Sequence, residues 1–169
     1  MTINYVINLD RRGDRWNEFL EKLKESEELS KEKFIRISGF DGYKFEDELK
    51  RYNLENSIFV NFFKKHKSSC KKGEFGVYMS HYITLYNILI NPDIKDDDYV
   101  GVYEDDFMKS DNFEENYKKF KEINLDDFEA EFIYLGGRFA KNFTIEDCNM
   151  FKKTSDPNMF YRYNPCEGG

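Results

Sequence analysis

The feature that most constrains the fold is an alternation of short strand-like segments with helical patterns. The segments Ile3 to Leu9 (INYVINL), Phe34 to Ile37 (FIRI) and Tyr99 to Tyr103 are rich in β-branched and aromatic residues, as strands are. A further segment, Phe132 to Leu135 (FIYL), is closed by Gly136-Gly137. Because helices that separate strands favour parallel pairing, the sequence predicts a three-layer α/β domain with a mainly parallel sheet and a central first strand.

Helical patterns lie between these strands. Apolar residues three or four apart predict a first helix, namely Trp16, Phe19, Leu20 and Leu23. Asp14 is the predicted N-cap of this helix. Short helices are expected within residues 43–72, and Phe113 to Phe120 has a weak helical pattern. Glu74 to Ile90 predicts the main buried helix. Its buried stripe would consist of Phe75, Tyr78, Met79, Tyr82, Tyr86 and Leu89, widened by Val77, Leu85 and Ile88.

Length and charge limit the function classes. A chain of 169 residues is predicted to form a single domain, residues 1–169. The formal net charge of −7 argues against nucleic acid as the main partner, because phosphate backbones need a basic surface. The segment from Phe75 to Pro92 has no acidic or basic residue but is short and contains polar side chains, so a buried helix is predicted rather than a membrane span. Three cysteines without a CxxC pair, and no visible secretory signal, predict a cytoplasmic location.

Three adjacent carboxylates, Glu104, Asp105 and Asp106, follow the apolar strand in DYVGVYEDDF. Adjacent acids repel one another, and burying them is unfavourable unless a positive charge offsets theirs. One hypothesis is a Mg²⁺ or Mn²⁺ site, since these ions take oxygen ligands and leave positions open for phosphate oxygens. The other is that the acids begin an exposed loop and cap the helix near residue 112. The triplet by itself leaves both open.

A group of arginines follows the first strand in LDRRGDRW. Arg11, Arg12 and Arg15 lie at the start of the first helix, where the helix dipole disfavours cations. A bound anion would reverse that effect, whereas Asp10 and Asp14 would offset solvated arginines without one. Ligands of parallel α/β sheets gather at the carboxyl ends of the strands, where both the arginines and the acids fall. A diphosphate between the arginines and a metal ion would explain both groups together.

Five segments in this order resemble glycosyltransferase family 25: YVINLDRRGDRW, RISGFDG, KGEFGVYMSHYITLYNIL, VGVYEDDF and EFIYLGG. The resemblance covers about residues 4–137. That family includes lipooligosaccharide and collagen hydroxylysine galactosyltransferases. The resemblance implies a Rossmann-like GT-A fold, a UDP-hexose donor (galactose or glucose), a Mn²⁺ or Mg²⁺ ion, and inverting transfer to a glycan or hydroxylysine-type acceptor.

The resemblance also assigns residues by position. The metal motif would be Glu104, Asp105 and Asp106, with Asp106 as the direct ligand and Glu104 reaching the metal or the ribose. The donor-binding residues that it implies are Asn8, Leu9, Asp10, Arg15, Asp41, Gly42, Ser80 and His81. Arg15 would lie near the diphosphate, and Ser80 and His81 near the donor. Without the family, His81 is better interpreted as a core histidine with one hydrogen bond.

The resemblance leaves the catalytic base unassigned. Sequences of the family usually continue beyond the segments matched here, so the acceptor-side portion is expected to be missing or shortened in this chain. An alternative hypothesis is therefore an inactive or incomplete nucleotide-sugar-binding module that pairs with another chain, for instance as a homodimer. UDP binding with and without Mn²⁺, and hydrolysis of UDP-sugars, would separate the two hypotheses.

Overall fold

A computed structural model describes residues 3–66, 71–95, 98–124, 151–153 and 160–162. The chain divides into two compact units, Met1–Lys119 and Phe120–Gly169. The prediction of a single domain stays a prediction. The strand expected at residues 132–135 lies outside the described residues.

The first unit contains three strands and the helices between them, and the helix after the third strand begins in it. In chain order the elements are β1 (Ile3–Asn8), α1 (Gly13–Lys24), β2 (Lys33–Ser38), α2 (Phe45–Arg51), α3 (Ile58–His66), α4 (Lys72–Leu89), β3 (Val100–Glu104) and α5 (Phe113–Glu122). Short 3₁₀ turns lie at Leu29–Lys31 and Gly42–Lys44. In the second unit, β4 (Phe151–Lys153) and β5 (Phe160–Arg162) pair antiparallel.

The three strands of the first unit form a parallel sheet in the order β2-β1-β3. The prediction of a parallel α/β fold with a central first strand is confirmed for this sheet, whereas the three-layer GT-A arrangement stays a prediction. Asn8 pairs with Ser38, and Ile7 pairs with Glu104, so the carboxyl ends of all three strands meet at one edge. The backbone N–H of Asp105 continues the ladder by donating to the Ile7 carbonyl at 3.1 Å.

Helix α1 covers one part of the sheet through its apolar face. Phe19 is fully buried and meets Phe34 of β2 edge-to-face, with ring centroids 5.8 Å apart. The N-cap prediction is wrong: the helix begins at Gly13, Arg12 occupies the cap position without a side-chain cap, and Asp14 lies inside the first turn. There Asp14 accepts a 2.6 Å hydrogen bond from the Arg12 side chain in addition to hydrogen bonds from backbone N–H groups of the first turn.

The main hydrophobic cluster lies between α2, α3, α4 and the loop before α2. It consists of Phe40, Phe45, Leu49, Val60, Phe63, Phe75, Met79 and Ile83. Its aromatic rings are in direct contact, with the centroids of Phe63 and Phe75 only 4.4 Å apart. The heavy aromatic content of the sequence is thus used to bury large apolar areas with few residues.

Helix α4 differs from its predicted burial. It does bury Phe75 and Met79, but it also buries a row of small residues four apart, namely Gly76, Ser80 and Thr84. The apolar residues expected in the core are instead exposed, namely Val77, Tyr78, Tyr82, Leu85, Tyr86 and Leu89. The stripe prediction is therefore wrong for these six positions. The reason is that small side chains let the helix approach neighbouring backbone closely, and a count of apolar residues does not detect that.

Within the described part of the chain, no helix combines the length and the apolar character that crossing a bilayer requires.

Candidate functional site

A cleft opens at the carboxyl edge of the sheet. Its walls are the turn between β1 and α1, the loop at residues 39–44, helix α4 and the end of β3. It is an open cleft with a cavity volume of about 150 Å³, smaller than the roughly 300–1,000 Å³ of pockets that enclose a whole ligand. Six of the predicted donor-binding residues line it: Leu9, Arg15, Asp41, Gly42, Ser80 and His81. Two of the acids, Glu104 and Asp105, line it as well.

The remaining predicted residues lie beside the cleft and not in its lining. Asn8 is buried behind Asp105, and Asp106 follows Asp105 on the solvent side. Asp10 lies on the side of β1 that faces β2. There it accepts hydrogen bonds from the Ser38 hydroxyl at 2.7 Å and from Arg51 at 2.9 Å. The bond from Ser38 lowers the pKa of the Asp10 carboxyl below its ordinary value.

Asp105 is a buried carboxylate, 8% exposed, that directly follows the edge strand β3. One of its oxygens, Oδ2, accepts a hydrogen bond from Nδ2 of Asn8 at 2.6 Å, and Oδ1 accepts one from Nη1 of Arg15 at 3.2 Å. A buried charge is tolerated when it is paired and hydrogen-bonded. These two donors therefore explain how the chain can bury an acid next to two others.

Arg15 joins two of the acids. Its Nη1 lies 3.2 Å from Oδ1 of Asp105 and 3.3 Å from Oδ2 of Asp106. The two carboxylates are thus close enough to share one positive charge. Arg15 comes from the first turn of α1, some 90 positions earlier in the chain, so the fold itself creates this group.

Asn8 is held in one orientation by Arg36. Nε and Nη2 of Arg36 donate to the Asn8 oxygen at 2.8 and 2.6 Å, which leaves Nδ2 of Asn8 to donate to Asp105 and to the Arg12 carbonyl. The Arg36 guanidinium also lies over the Trp16 ring, 5.5 Å from its centroid. Sequence reasoning missed Arg36. The available signal was a charged residue inside the otherwise apolar segment FIRI.

Ser80 anchors the loop that forms the opposite wall. Its hydroxyl accepts a hydrogen bond from the Phe40 backbone N–H at 2.8 Å and donates to the Gly76 carbonyl at 2.7 Å. A Cβ at Gly42 would overlap the carbonyl of Lys72, and one at Gly76 would lie 2.9 Å from the Phe40 carbonyl oxygen. Glycine and serine at these positions therefore let the loop lie directly on α4.

The same loop presents a charged and aromatic group to the cleft. Nε of Arg11 donates to Oδ2 of Asp41 at 2.6 Å, and Oδ1 of Asp41 accepts the backbone N–H of Tyr43 at 3.1 Å. The Arg11 guanidinium lies 5.6 Å from the centroid of the Tyr43 ring. Tyr43 lines the cleft but was not predicted, because its position depends on the loop conformation and not on a strand end.

His81 faces Glu104 across the cleft. Nε2 of His81 lies 3.3 Å from Oε1 of Glu104, and both side chains are about half exposed. The interpretation of His81 as a core histidine is therefore wrong. The hydrogen bond with His81 is the main reason that the pKa of Glu104 is below its ordinary value.

The acids match a divalent ion in ligand type. Among the described residues, no three or more His, Cys, Asp or Glu side chains converge as a metal cage. Mg²⁺, however, is commonly held by one or two carboxylates together with substrate phosphates. Asp106 and Glu104 are exposed carboxylates on either side of Asp105, at the edge of a cleft that also contains three arginines. The residues thus fit such an ion in ligand type, while in this structure Glu104 is paired with His81 and Asp106 with Arg15.

Comparison with known proteins identifies a family for the chain. The model of glycosyltransferase family 25, described as an LPS biosynthesis protein, matches residues 1–163. No curated protein and no solved structure matches the chain. Because the match covers nearly the whole sequence, the chain belongs to glycosyltransferase family 25, and its family implies a glycosyltransferase.

Proposed function

We propose that this protein transfers a hexose, galactose or glucose, from a UDP-sugar to a hydroxyl of a glycan or hydroxylysine-type acceptor, with inversion and with Mn²⁺ or Mg²⁺. The observation that carries the proposal is the shared cleft: arginines from the β1–α1 turn and acids from the end of β3 line the same space. Family membership supports sugar transfer, and the cleft supports a ligand with both phosphate and metal-binding character.

The arginines are suited to the diphosphate of such a donor. Arg11, Arg12 and Arg15 all line the cleft, and guanidinium groups bind phosphate oxygens through paired N–H donors. Sugar transfer leaves UDP with an additional negative charge on its terminal phosphate. Positive groups that are held beside the place where this charge develops lower the barrier with little reorganisation during the reaction.

Asp106 and Glu104 would hold the divalent ion. When bound, such an ion neutralises charge on the departing diphosphate. Asp105 would remain the buried support of the site, because both of its oxygens are engaged by Asn8 and Arg15. Arg15, which joins Asp105 to Asp106, could exchange its bond with Asp106 for one with the diphosphate.

Isothermal titration of UDP, with and without Mn²⁺, tests this proposal. For the wild type we expect Mn²⁺ to strengthen UDP binding by about tenfold or more, the equivalent of one charge-assisted contact. Asp106→Asn should remove most of that gain and leave thermal stability unchanged, because Asp106 is mostly exposed. Asp93→Asn, an exposed aspartate before β3 at the opposite edge of the sheet, is the matched control and should behave as the wild type.

Three results would count against the proposal. UDP binding that is equal with and without Mn²⁺ would contradict the metal, and absence of UDP binding would contradict the donor. Tight UDP binding without hydrolysis or transfer of UDP-galactose or UDP-glucose would favour the nucleotide-sugar-binding module over the enzyme.

A further inference from the structure

Tyr43 is an exposed aromatic ring inside the cleft. It is 77% exposed although it lines the same space as the arginines. Its exposure rules out a role in the hydrophobic core, whose aromatic rings are buried. Exposed large aromatics in a binding cleft are typical of surfaces on which a planar ligand stacks.

The ring is held by a rigid support. Asp41 accepts both the backbone N–H of Tyr43 and Nε of Arg11, so one buried carboxylate fixes the loop and the arginine together. Gly42, between them, packs against the carbonyl of Lys72 at the start of α4. A stacking platform that is already ordered binds its ligand at a lower entropic cost than a mobile one.

The position of Arg11 orients a ligand along the cleft. Its guanidinium lies over one face of the Tyr43 ring, while Arg12 and Arg15 line the cleft toward the acids. A molecule with a planar aromatic part at Tyr43 and phosphates near Arg11 and Arg15 would stack on the tyrosine ring and bind the guanidinium groups at the same time. A nucleoside diphosphate has this arrangement, with a base at one end and a charged diphosphate at the other.

We infer that the nucleobase of the nucleoside diphosphate donor stacks on the Tyr43 ring, and that Arg11 lies between the base and the phosphates. The inference rests on the proposed function and adds to it a residue and an orientation. The base lies toward the Gly42–Lys44 turn, and the phosphates lie toward the end of β3. Because every base has an aromatic face, Tyr43 supplies affinity more than selection among bases.

Titration of two ligands, UDP and inorganic pyrophosphate, separates base binding from phosphate binding. We expect Tyr43→Ala to weaken UDP binding by about tenfold or more, in the range found for loss of one base–aromatic stack, and to leave pyrophosphate binding unchanged. Tyr43→Phe keeps the ring and should retain wild-type UDP affinity. Tyr43→Leu, which keeps bulk without a π-face, should lose affinity as the alanine variant does.

Tyr86→Ala is the matched control. Tyr86 is also an exposed tyrosine, at 53%, but it lies on α4 outside the cleft lining and should not affect either ligand. Melting temperatures of all variants should match the wild type, since none removes a buried side chain. If Tyr43→Ala does not fold, the comparison of Tyr43→Leu with Tyr43→Phe decides in its place.

The outcomes separate this inference from the proposed function. Wild-type UDP affinity in both Tyr43→Ala and Tyr43→Leu would overturn the stacking role and leave the donor proposal intact. Equal weakening of UDP and pyrophosphate would show that Tyr43 acts on the phosphates through Arg11, and would also overturn stacking. If the wild type binds pyrophosphate but gains nothing from the uridine of UDP, both proposals fail.

Discussion

Asn8 shows how single residues make the acid cluster possible. It uses its oxygen for Arg36 and its amide nitrogen for Asp105 and the Arg12 carbonyl, while remaining 1% exposed. Three charged or polar groups from β2, β3 and the β1–α1 turn thus depend on one amide. Removing that amide leaves buried polar groups without partners, which is more unfavourable than losing one exposed hydrogen bond.

We expect Asn8→Leu to lower the free energy of unfolding by about 1–3 kcal/mol, because leucine keeps the branched shape of the side chain but leaves Oδ2 of the buried Asp105 without its hydrogen-bond donor. Urea unfolding followed by circular dichroism measures the change. Asn17→Leu, at an exposed position of α1, is the control and should stay within about 0.5 kcal/mol of the wild type. Equal stability of Asn8→Leu and the wild type would show that the amide network has no structural role.

At this scale the sequence predicts some site residues and not others, for a physical reason. Arg15, Glu104 and Asp105 follow from charge placed at strand ends, because the ends of parallel strands meet at one edge. Arg36 and Tyr43 do not follow, since the first needs the register of β2 against β1 and the second needs the loop conformation. Neither register nor loop conformation is visible in residue spacing.

The strands and helices themselves follow well from hydrophobic pattern, but the buried face of α4 does not. Two adjacent rows four residues apart face the interior: Phe75, Met79 and Ile83, and Gly76, Ser80 and Thr84. The second row is small or polar, so its burial depends on the loop backbone that it contacts. The buried face of α4 predicted from apolar residues alone is therefore rotated about the helix axis relative to the face that is buried in the structure.

The two faces of α4 should respond differently to truncation. We expect Met79→Ala to lower the free energy of unfolding by about 2–5 kcal/mol, because Met79 is fully buried in the main cluster and its removal leaves a cavity. Leu89→Ala, at a residue that is 81% exposed, should change it by less than about 0.5 kcal/mol. Chemical denaturation of both variants measures the difference. A loss of similar size at both positions would contradict the observed orientation of α4.

Charge acts in two opposite ways at the scale of the whole molecule. The formal net charge of −7 repels an anionic ligand from a distance, whereas Arg11, Arg12 and Arg15 attract it inside the cleft. Two unit charges 4 Å apart near a protein surface interact by about 4 kcal/mol, but charges farther apart than about 8–10 Å are largely screened at physiological salt. Since three carboxylates, Asp41, Glu104 and Asp105, line the same cleft, the local attraction exceeds the distant repulsion only where an arginine exchanges its carboxylate partner for the incoming phosphate.

The sign of the salt dependence tests which effect dominates. Salt screens both interactions, so the change in UDP affinity follows the stronger one. As salt rises from about 0.05 to about 0.5 M, UDP affinity should fall if attraction by the arginines dominates, and it should rise if repulsion by the net charge dominates. Titrations of UDP and of uridine, which has no phosphate, measure this, and uridine should show little change. Arg15→Gln should flatten the UDP dependence, while Arg51→Gln, whose side chain pairs with Asp10 outside the cleft, should keep the wild-type slope. Affinity that increases with salt would mean that the arginines stay paired with the neighbouring carboxylates and do not bind the phosphates of UDP. An arginine attracts a new anion only when it can exchange its carboxylate partner for that anion.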